Sequence, residues 1–392
     1  MKILTLTNLY PPHYLGGYEL ACHDVSESLA ERGHEVRVVT STHGVEGPVR
    51  EGRVARVLDR RYPPDPDWKR EWSRSRRNVR ILAEEVEAFS PDLLHVFNPS
   101  GLSGALLTWL HGSCPKPVVH DISDLWLPNA HDEDTWAGFR RRRPVALRSW
   151  LARLAGPATG GRMDFSKSYY RSDFLRRWHR DHGLDPAGAG VIHHGVRSLD
   201  IPAWDPEARG IVFAGRLSRD KGVHVLLESL QILAARRDDL AFPVTIAGTG
   251  EPDHVEELVT LAARLPARIP VDFTGPLERL RCLRAVASRA IYAFPVVWDE
   301  PFSIGLVEAL AAGMPVVATR TGGTAEIVVD EVNGLLVDRA DAAGFAVALE
   351  RLLDEPATRR RLSGEARASV AHLEFERTVD LVERHLLGIL AR

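Results

Sequence analysis

Apolar residues recur along this chain in two alternating rhythms. Some form short, nearly continuous runs; others recur every three or four positions over longer stretches. The runs predict buried strands and the longer stretches predict amphipathic helices. Residues 2–7 open as a strand, and a turn through Tyr10-Pro11-Pro12 and Gly16-Gly17 leads into a helix. That helix puts Leu20, Ala21, Val25, Ser28 and Leu29 on one stripe and stops at Gly33. Residues 35–40, 92–97 and 117–120 predict further strands, with a helix over 104–110. From 50 to 80 the rhythm breaks among Pro63, Pro64, Pro66, Trp68 and Trp72, which suggests an irregular excursion above the sheet.

Pro186, Gly188, Gly190, Pro202 and Pro206 then mark a linker, and the pattern restarts. Strands over 210–214, 244–247, 271–274, 290–295, 315–318 and 334–337 alternate with helices over 223–235, 254–265, 277–288 and 303–312. Such alternation implies a parallel sheet covered on both faces, built twice. The expected organisation is a first domain over 1–190, a linker over 191–209 and a second domain over 210–374. A final helical segment, 375–392, is expected to pack back on the first domain.

Length and composition agree with two domains. At 392 residues the chain exceeds what one core serves, and 44% apolar with 26% charged residues is ordinary for a soluble protein. No apolar run reaches the roughly 18 residues that span a bilayer, and the start is too short for a signal-peptide core. Cys22, Cys114 and Cys282 show no paired spacing, which points to a reducing cytoplasm. Residues 1–190 carry 27 basic and 24 acidic side chains, with the basic ones clustered from Lys69 to Arg80 and from Arg140 to Arg153. These clusters read as solvated helix faces; the second is also compatible with peripheral contact with an anionic acceptor or membrane. The net charge of −3 and the lack of a stacking module argue against a nucleic-acid partner.

Chemistry concentrates in the second array. Glu300 follows a strand and precedes Pro301, which disfavours helix at the residue before it. Ser303 is suited to cap the next helix, and Glu308 lies about one turn inside. Amides of Phe302, Ser303, Ile304, Gly305 and Leu306 lie between the two carboxylates. Helix-terminal amides suit a phosphate, and carboxylates accept hydrogen bonds from sugar hydroxyls. Earlier, Gly215-Arg216 and Lys221-Gly222 follow the first strand of the same array, where cations can neutralise a departing diphosphate.

In this order the motifs resemble family 4 retaining glycosyltransferases of GT-B architecture: α/β, two Rossmann-like doubly wound domains facing each other across an interdomain cleft. The likeness is carried by Glu300 and Glu308, by Gly215, Arg216, Lys221 and Gly222, and by the Gly16-Gly17 loop. His120-Asp121, Ser172-Asp173-Phe174-Leu175, His194-Gly195-Val196, the turn at Gly248 and Thr321-Gly322-Gly323 extend it. The resemblance implies that Arg216 and Lys221 hold a diphosphate, Glu308 the ribose and Glu300 the donor sugar. Gly16, Gly17, Gly248 and the amides of Phe302 to Leu306 would approach the same ligand, and His120 with Asp121 would act beside the anomeric carbon. It implies a nucleotide-sugar donor, with UDP favoured over GDP, and a carbohydrate, glycolipid or small-molecule acceptor, without cofactor or metal. His194 and Arg197 depart from the family pattern at the linker. Asp65-Pro66-Asp67 and Asp132-Glu133-Asp134 read as loop acids rather than metal ligands. A nucleotide-sugar epimerase, a transferase acting on a pseudo-sugar and an inactive binding partner share these expectations.

Overall fold

The computed structural model describes residues 1–63, 65–125, 164–184 and 188–391. The basic cluster from Arg140 to Arg153, Trp126, Trp136 and the acidic string at Asp132 lie outside these residues. The chain divides into one unit of Met1–Ile192 with Val379–Arg392 and a second of His193–Thr378.

In the first unit, strands β1 (Lys2–Leu6), β2 (Glu35–Ser41), β3 (Val49–Glu51), β4 (Val54–Leu58), β5 (Leu93–Val96), β6 (Val118–Ile122), β7 (Tyr169–Tyr170) and β8 (Gly190–Val191) form one sheet. Its order is β3-β4-β2-β1-β5-β6-β7-β8. The pairings are parallel except β3 with β4. Helices α1 (Gly17–Glu31), α2 (Trp68–Phe89), α3 (Gly104–Gly112) and α4 (Asp173–Asp181) accompany it. Leu4, Leu6, Val39, Leu82, Val86, Leu94, Val96 and Leu106 share a core with essentially no solvent access.

The expected irregular excursion over 50–80 is overturned. Its first part is the β3–β4 hairpin, and its second begins α2, a helix of 22 residues. Asp67 caps α2 through Lys69 N–H at 2.9 Å. The inner face of α2 is polar near its start: Glu71, Arg74 and Asn78 are buried there. Arg74 pairs with Glu71 and donates to the carbonyls of Asp59 and Gly101, each at 2.8 Å. Asn78 joins the carbonyls of Asp59 and Leu102 at 2.8 and 2.7 Å. The helix therefore fastens the loops that leave β4 and β5.

In the second unit, β9 (Ile211–Ala214), β10 (Val244–Ala247), β11 (Val271–Gly275), β12 (Ile291–Phe294), β13 (Val316–Thr319) and β14 (Leu335–Val337) form a parallel sheet of order β11-β10-β9-β12-β13-β14. The helices are α5 (Val223–Arg236), α6 (Pro252–Ala262), α7 (Arg279–Ala287), α8 (Ile304–Ala311), α9 (Thr324–Ile327), α10 (Ala342–Asp354) and α11 (Pro356–Val370). Residues 193–209 pack within this unit: Val196 bridges to Glu374, and Trp204 N–H donates to the Ala312 carbonyl at 2.8 Å. The last helix, α12 (Phe375–Leu390), starts in the second unit and ends in the first. There Arg32 pairs with Asp380 and Glu383 at 2.7 and 2.8 Å. Among the described residues, no helix is long and apolar enough to cross a membrane.

Candidate functional site

Strand order reverses between β9 and β12, and ligands of open α/β sheets bind at the carboxyl ends of such neighbours. The loops leaving these two strands carry Gly215 to Gly222 and Trp298 to Ser303. Gly222 joins them. It adopts φ +70°, and a Cβ there would lie 1.9 Å from the Pro295 carbonyl oxygen, so the first loop lies directly on the end of β12. Val297 N–H donates to the Asp220 carbonyl at 2.9 Å and locks the same approach.

This packing brings Lys221 to Glu300, with Nζ 2.5 Å from Oε2. Trp298 Nε1–H donates to the same oxygen at 2.9 Å, and Lys221 Nζ lies 5.2 Å from the Trp298 ring centroid. Glu300 is only 7% exposed. Its backbone is clamped from behind, because Gly323 N–H donates to its carbonyl at 2.7 Å. A Cβ on Gly322 would come within 2.3 Å of that carbonyl oxygen. The sequence sets Lys221 and Glu300 on two loops around one expected ligand; it does not reveal Trp298 as their common partner.

Ser303 caps α8, accepting from Leu306 N–H at 3.2 Å. That bond removes Leu306 from the amides expected to meet a ligand and leaves those of Phe302, Ser303, Ile304 and Gly305. Glu308 Oε1 lies 2.7 Å from Arg279, a partner that nothing in the motif reveals. Arg216 is exposed and makes no ion pair among the described residues. Gly248 packs on Gly215, where a Cβ would lie 1.8 Å from the carbonyl oxygen. His193 stacks on Phe302 at 5.4 Å between centroids and lies 3.4 Å from Glu326. Residues of the supposed linker thus brace the helix start.

The residues expected to act from the first unit have a different setting. Gly16 precedes α1 with φ −166°, extended backbone open to any residue, and its N–H donates to Glu19 at 2.9 Å. Gly17 is the first residue of α1. His120 and Asp121 lie inside β6 rather than after it, and each is 1% exposed. Arg171, itself fully buried, grips Asp121 through Nε at 2.9 Å and through a second nitrogen. Tyr169 O–H donates to Asp121 at 3.0 Å and Ser123 O–H at 2.8 Å. A carboxylate so enclosed orders the sheet and has no free approach to a substrate. Asp121, expected to act beside the anomeric carbon, thus lies in a strand interior with Arg171, Tyr169 and Ser123 as partners.

His120 likewise turns into the unit. Its Nε2 lies 3.0 Å from Nε2 of His111 on α3, the rings stack at 5.0 Å, and Phe165 meets both edge-on. One ring must donate and the other accept, so the pair is neutral in opposite tautomers. Burial holds His111 down to about 4 and His95, bonded to Tyr169 at 2.8 Å, down to about 3. His120 is held well below the usual value by burial and by His111. His120, expected beside the anomeric carbon, is thus packed against His111 and Phe165.

These folded-state values lie below the unfolded value of about 6.5, so the unfolded chain takes up more protons as pH falls. Stability contributed above pH 6.5 should be lost progressively toward pH 4, on the order of 3 kcal/mol from His111 alone. Melting temperature followed from pH 7 to 4 should fall, and less steeply in His111→Gln; equal slopes would contradict this.

Residues 15–198 match the family model described as Glycosyltransferase Family 4, and residues 199–369 match Glycosyl transferases group 1. The chain is 29% identical to the D-inositol 3-phosphate glycosyltransferase of Arthrobacter sp. (strain FB24), over 93% of this chain and 88% of that one. It is also 29% identical to the GDP-mannose-dependent alpha-mannosyltransferase of Mycolicibacterium smegmatis, over 100% and 98%. Among solved structures, Anabaena HepE in complex with UDP-glucose superposes with a TM-score of 0.73 at 18% identity, covering 99% of this chain and all of that one. Paired Rossmann-like units with these two matches define the GT-B architecture of that group. The chain belongs to the family 4 glycosyltransferases and is a transferase enzyme.

Proposed function

We propose that this glycosyltransferase takes a sugar from a nucleoside diphosphate, UDP in the first instance, and attaches it to an acceptor hydroxyl with retention at the anomeric carbon. The observation that carries this reading is the Lys221–Glu300–Trp298 cluster beside amides at the start of α8 that make no hydrogen bond among the described residues. Lys221 and exposed Arg216 lie on the loop that would receive a diphosphate, and the α8 amides add positive potential. Glu308 would accept from ribose hydroxyls and Glu300 from those of the sugar. In the reaction the bond from the anomeric carbon to the phosphate oxygen breaks as a bond to the acceptor oxygen forms on the same face. The acceptor proton passes to the leaving diphosphate. The protein's part is positioning and charge neutralisation. Arg216 and Lys221 supply the positive charge, so transfer is expected to persist in chelator.

A thermal-shift screen against UDP, GDP, ADP and TDP tests the donor site. A ligand at 100 times its dissociation constant stabilises by about 2.7 kcal/mol, roughly 5–10 °C for a unit of this size. UDP should give the largest shift, and a larger one with GDP would reassign the base, as the name of the mannosyltransferase relative suggests. No shift with any of the four would defeat the proposal. Nucleotide release that requires an acceptor would distinguish transfer from epimerisation or silent binding.

A further inference from the structure

The basic cluster from Lys69 to Arg80 belongs to the first unit and opens α2. Over this span the exposed positions are Lys69, Arg70, Ser73, Arg76, Arg77 and Arg80, so one face carries five cations and no acid. Lys69, Ser73, Arg76 and Arg80 recur at helical spacing and form one row, about 16 Å long at a rise of about 1.5 Å per residue. Arg70 and Arg77 run beside it. The acid within the span, Glu71, is turned inward to Arg74.

This face does nothing for the helix itself. Cations at a helix start meet the positive end of the macrodipole, yet Lys69 and Arg70 stand in the first turn, while exposed Glu84 and Glu87 stand toward the negative end. Ion pairs do not compensate. Arg70 lies 3.6 Å from Asp67, Arg77 3.8 Å from Asp59 and Arg80 3.7 Å from Glu84, all exposed pairs of little worth. Lys69 and Arg76 make no ion pair among the described residues. They lie over indole rings instead, Lys69 Nζ 5.7 Å from the Trp68 centroid and the Arg76 guanidinium carbon 4.9 Å from that of Trp72. Trp68, Trp72 and Val79, all half-buried, share the edge of the face beside the row. Buried bonds from Arg74 and Asn78 to the loops after β4 and β5 fix the helix, so the row is held rigidly.

Cations that splay from a convex helix do not converge on one small anion, so their partner is an extended anionic surface. Half-sunk indoles beside cations match the headgroup level of a bilayer; they are not presented for stacking on the bases of a nucleic-acid strand. We propose that the outer face of α2 docks this enzyme on a bilayer of anionic lipid. The five cations lie over headgroup phosphates, with Trp68 and Trp72 at the edge of the contact. This docking is independent of which nucleotide the second unit binds.

The test is sedimentation of the full chain with vesicles of phosphatidylcholine alone and of phosphatidylcholine mixed with phosphatidylglycerol. Binding should require the anionic lipid and should be lost at about 1 M salt, where the screening length is about 3 Å. Each Lys or Arg at an anionic surface contributes a factor of about five in partition, so Lys69→Gln, Arg76→Gln and Arg80→Gln together should lower it about a hundredfold. The melting temperature of this triple variant should match or exceed that of wild type, because the three side chains are exposed and one stands in the first turn. If the triple variant unfolds, Arg70→Gln with Arg77→Gln gives the second reading, with an expected loss of about 25-fold. No binding to anionic vesicles, or equal binding to both kinds, would overturn the proposal. Partition unchanged in the variants would move the contact to another part of the chain and overturn it as well. Retention on heparin without binding to anionic vesicles would assign the face to a soluble polyanion instead of a bilayer.

Discussion

Glu300→Gln is expected to leave the protein folded and to reduce transfer by about 10²–10³-fold, the range found when one preorganised electrostatic group is removed from an active site. Glutamine keeps the shape of the side chain and an oxygen that can accept from Trp298 Nε1–H, now 2.9 Å away. What it lacks is the charge that holds Lys221 at 2.5 Å and that, on the proposed reading, would accept from sugar hydroxyls. The loop should survive, because its backbone is clamped by Gly323 N–H and by the close packing of Gly322 rather than by the carboxylate. The comparison to make is turnover against melting temperature in the same preparation. Turnover within about threefold of wild type, well short of the loss expected for an electrostatic group, would remove Glu300 from the reaction, and a large fall in melting temperature would make it structural.

The second large effect lies in the first unit and should move the opposite quantity. Arg171→Met is expected to cost about 3–5 kcal/mol of stability, because it strands the Asp121 carboxylate in a site with no solvent access. Arg171 also donates to the Ile192 carbonyl at 3.1 Å and lies 5.0 Å above the Tyr169 ring, so the loss reaches three strands. Replacing both partners, Asp121→Leu with Arg171→Met, should recover much of the deficit, since an apolar pair avoids the desolvation of two charges. Denaturant unfolding of the two variants measures this. Activity per folded molecule should stay close to wild type in the double variant. A selective collapse of turnover there would restore Asp121 to the chemistry.

These two outcomes separate what the sequence made legible from what it did not. The second unit was readable because its strands are continuous apolar runs and its helices put apolar residues on one face. Ser303 could be recognised as a cap from its place before that helix. Two features of the first unit resisted the same reading. Helix α2 buries Glu71, Arg74 and Asn78 toward the loops it fastens, so its first turns lack an apolar stripe, and its tryptophans and the prolines just before it look irregular. His120-Asp121 resembles a catalytic pair, yet its surroundings depend on partners set by the fold, His111 on a helix and Arg171 just past the next strand. Nor could spacing show that the Leu306 amide is spent on Ser303, or that Arg279 reaches Glu308. Hydrophobic rhythm reports which face is buried. It does not report which polar groups satisfy each other inside.

The proposed donor site lies at one location, the carboxyl ends of β9 and β12. Crystals grown with UDP would examine it directly. The diphosphate should lie within hydrogen-bonding reach of Lys221 and Arg216 and of the amides that open α8, with the ribose hydroxyls on Glu308. Nucleotide bound elsewhere on the second unit, with Lys221 still held only by Glu300 and Trp298, would contradict it.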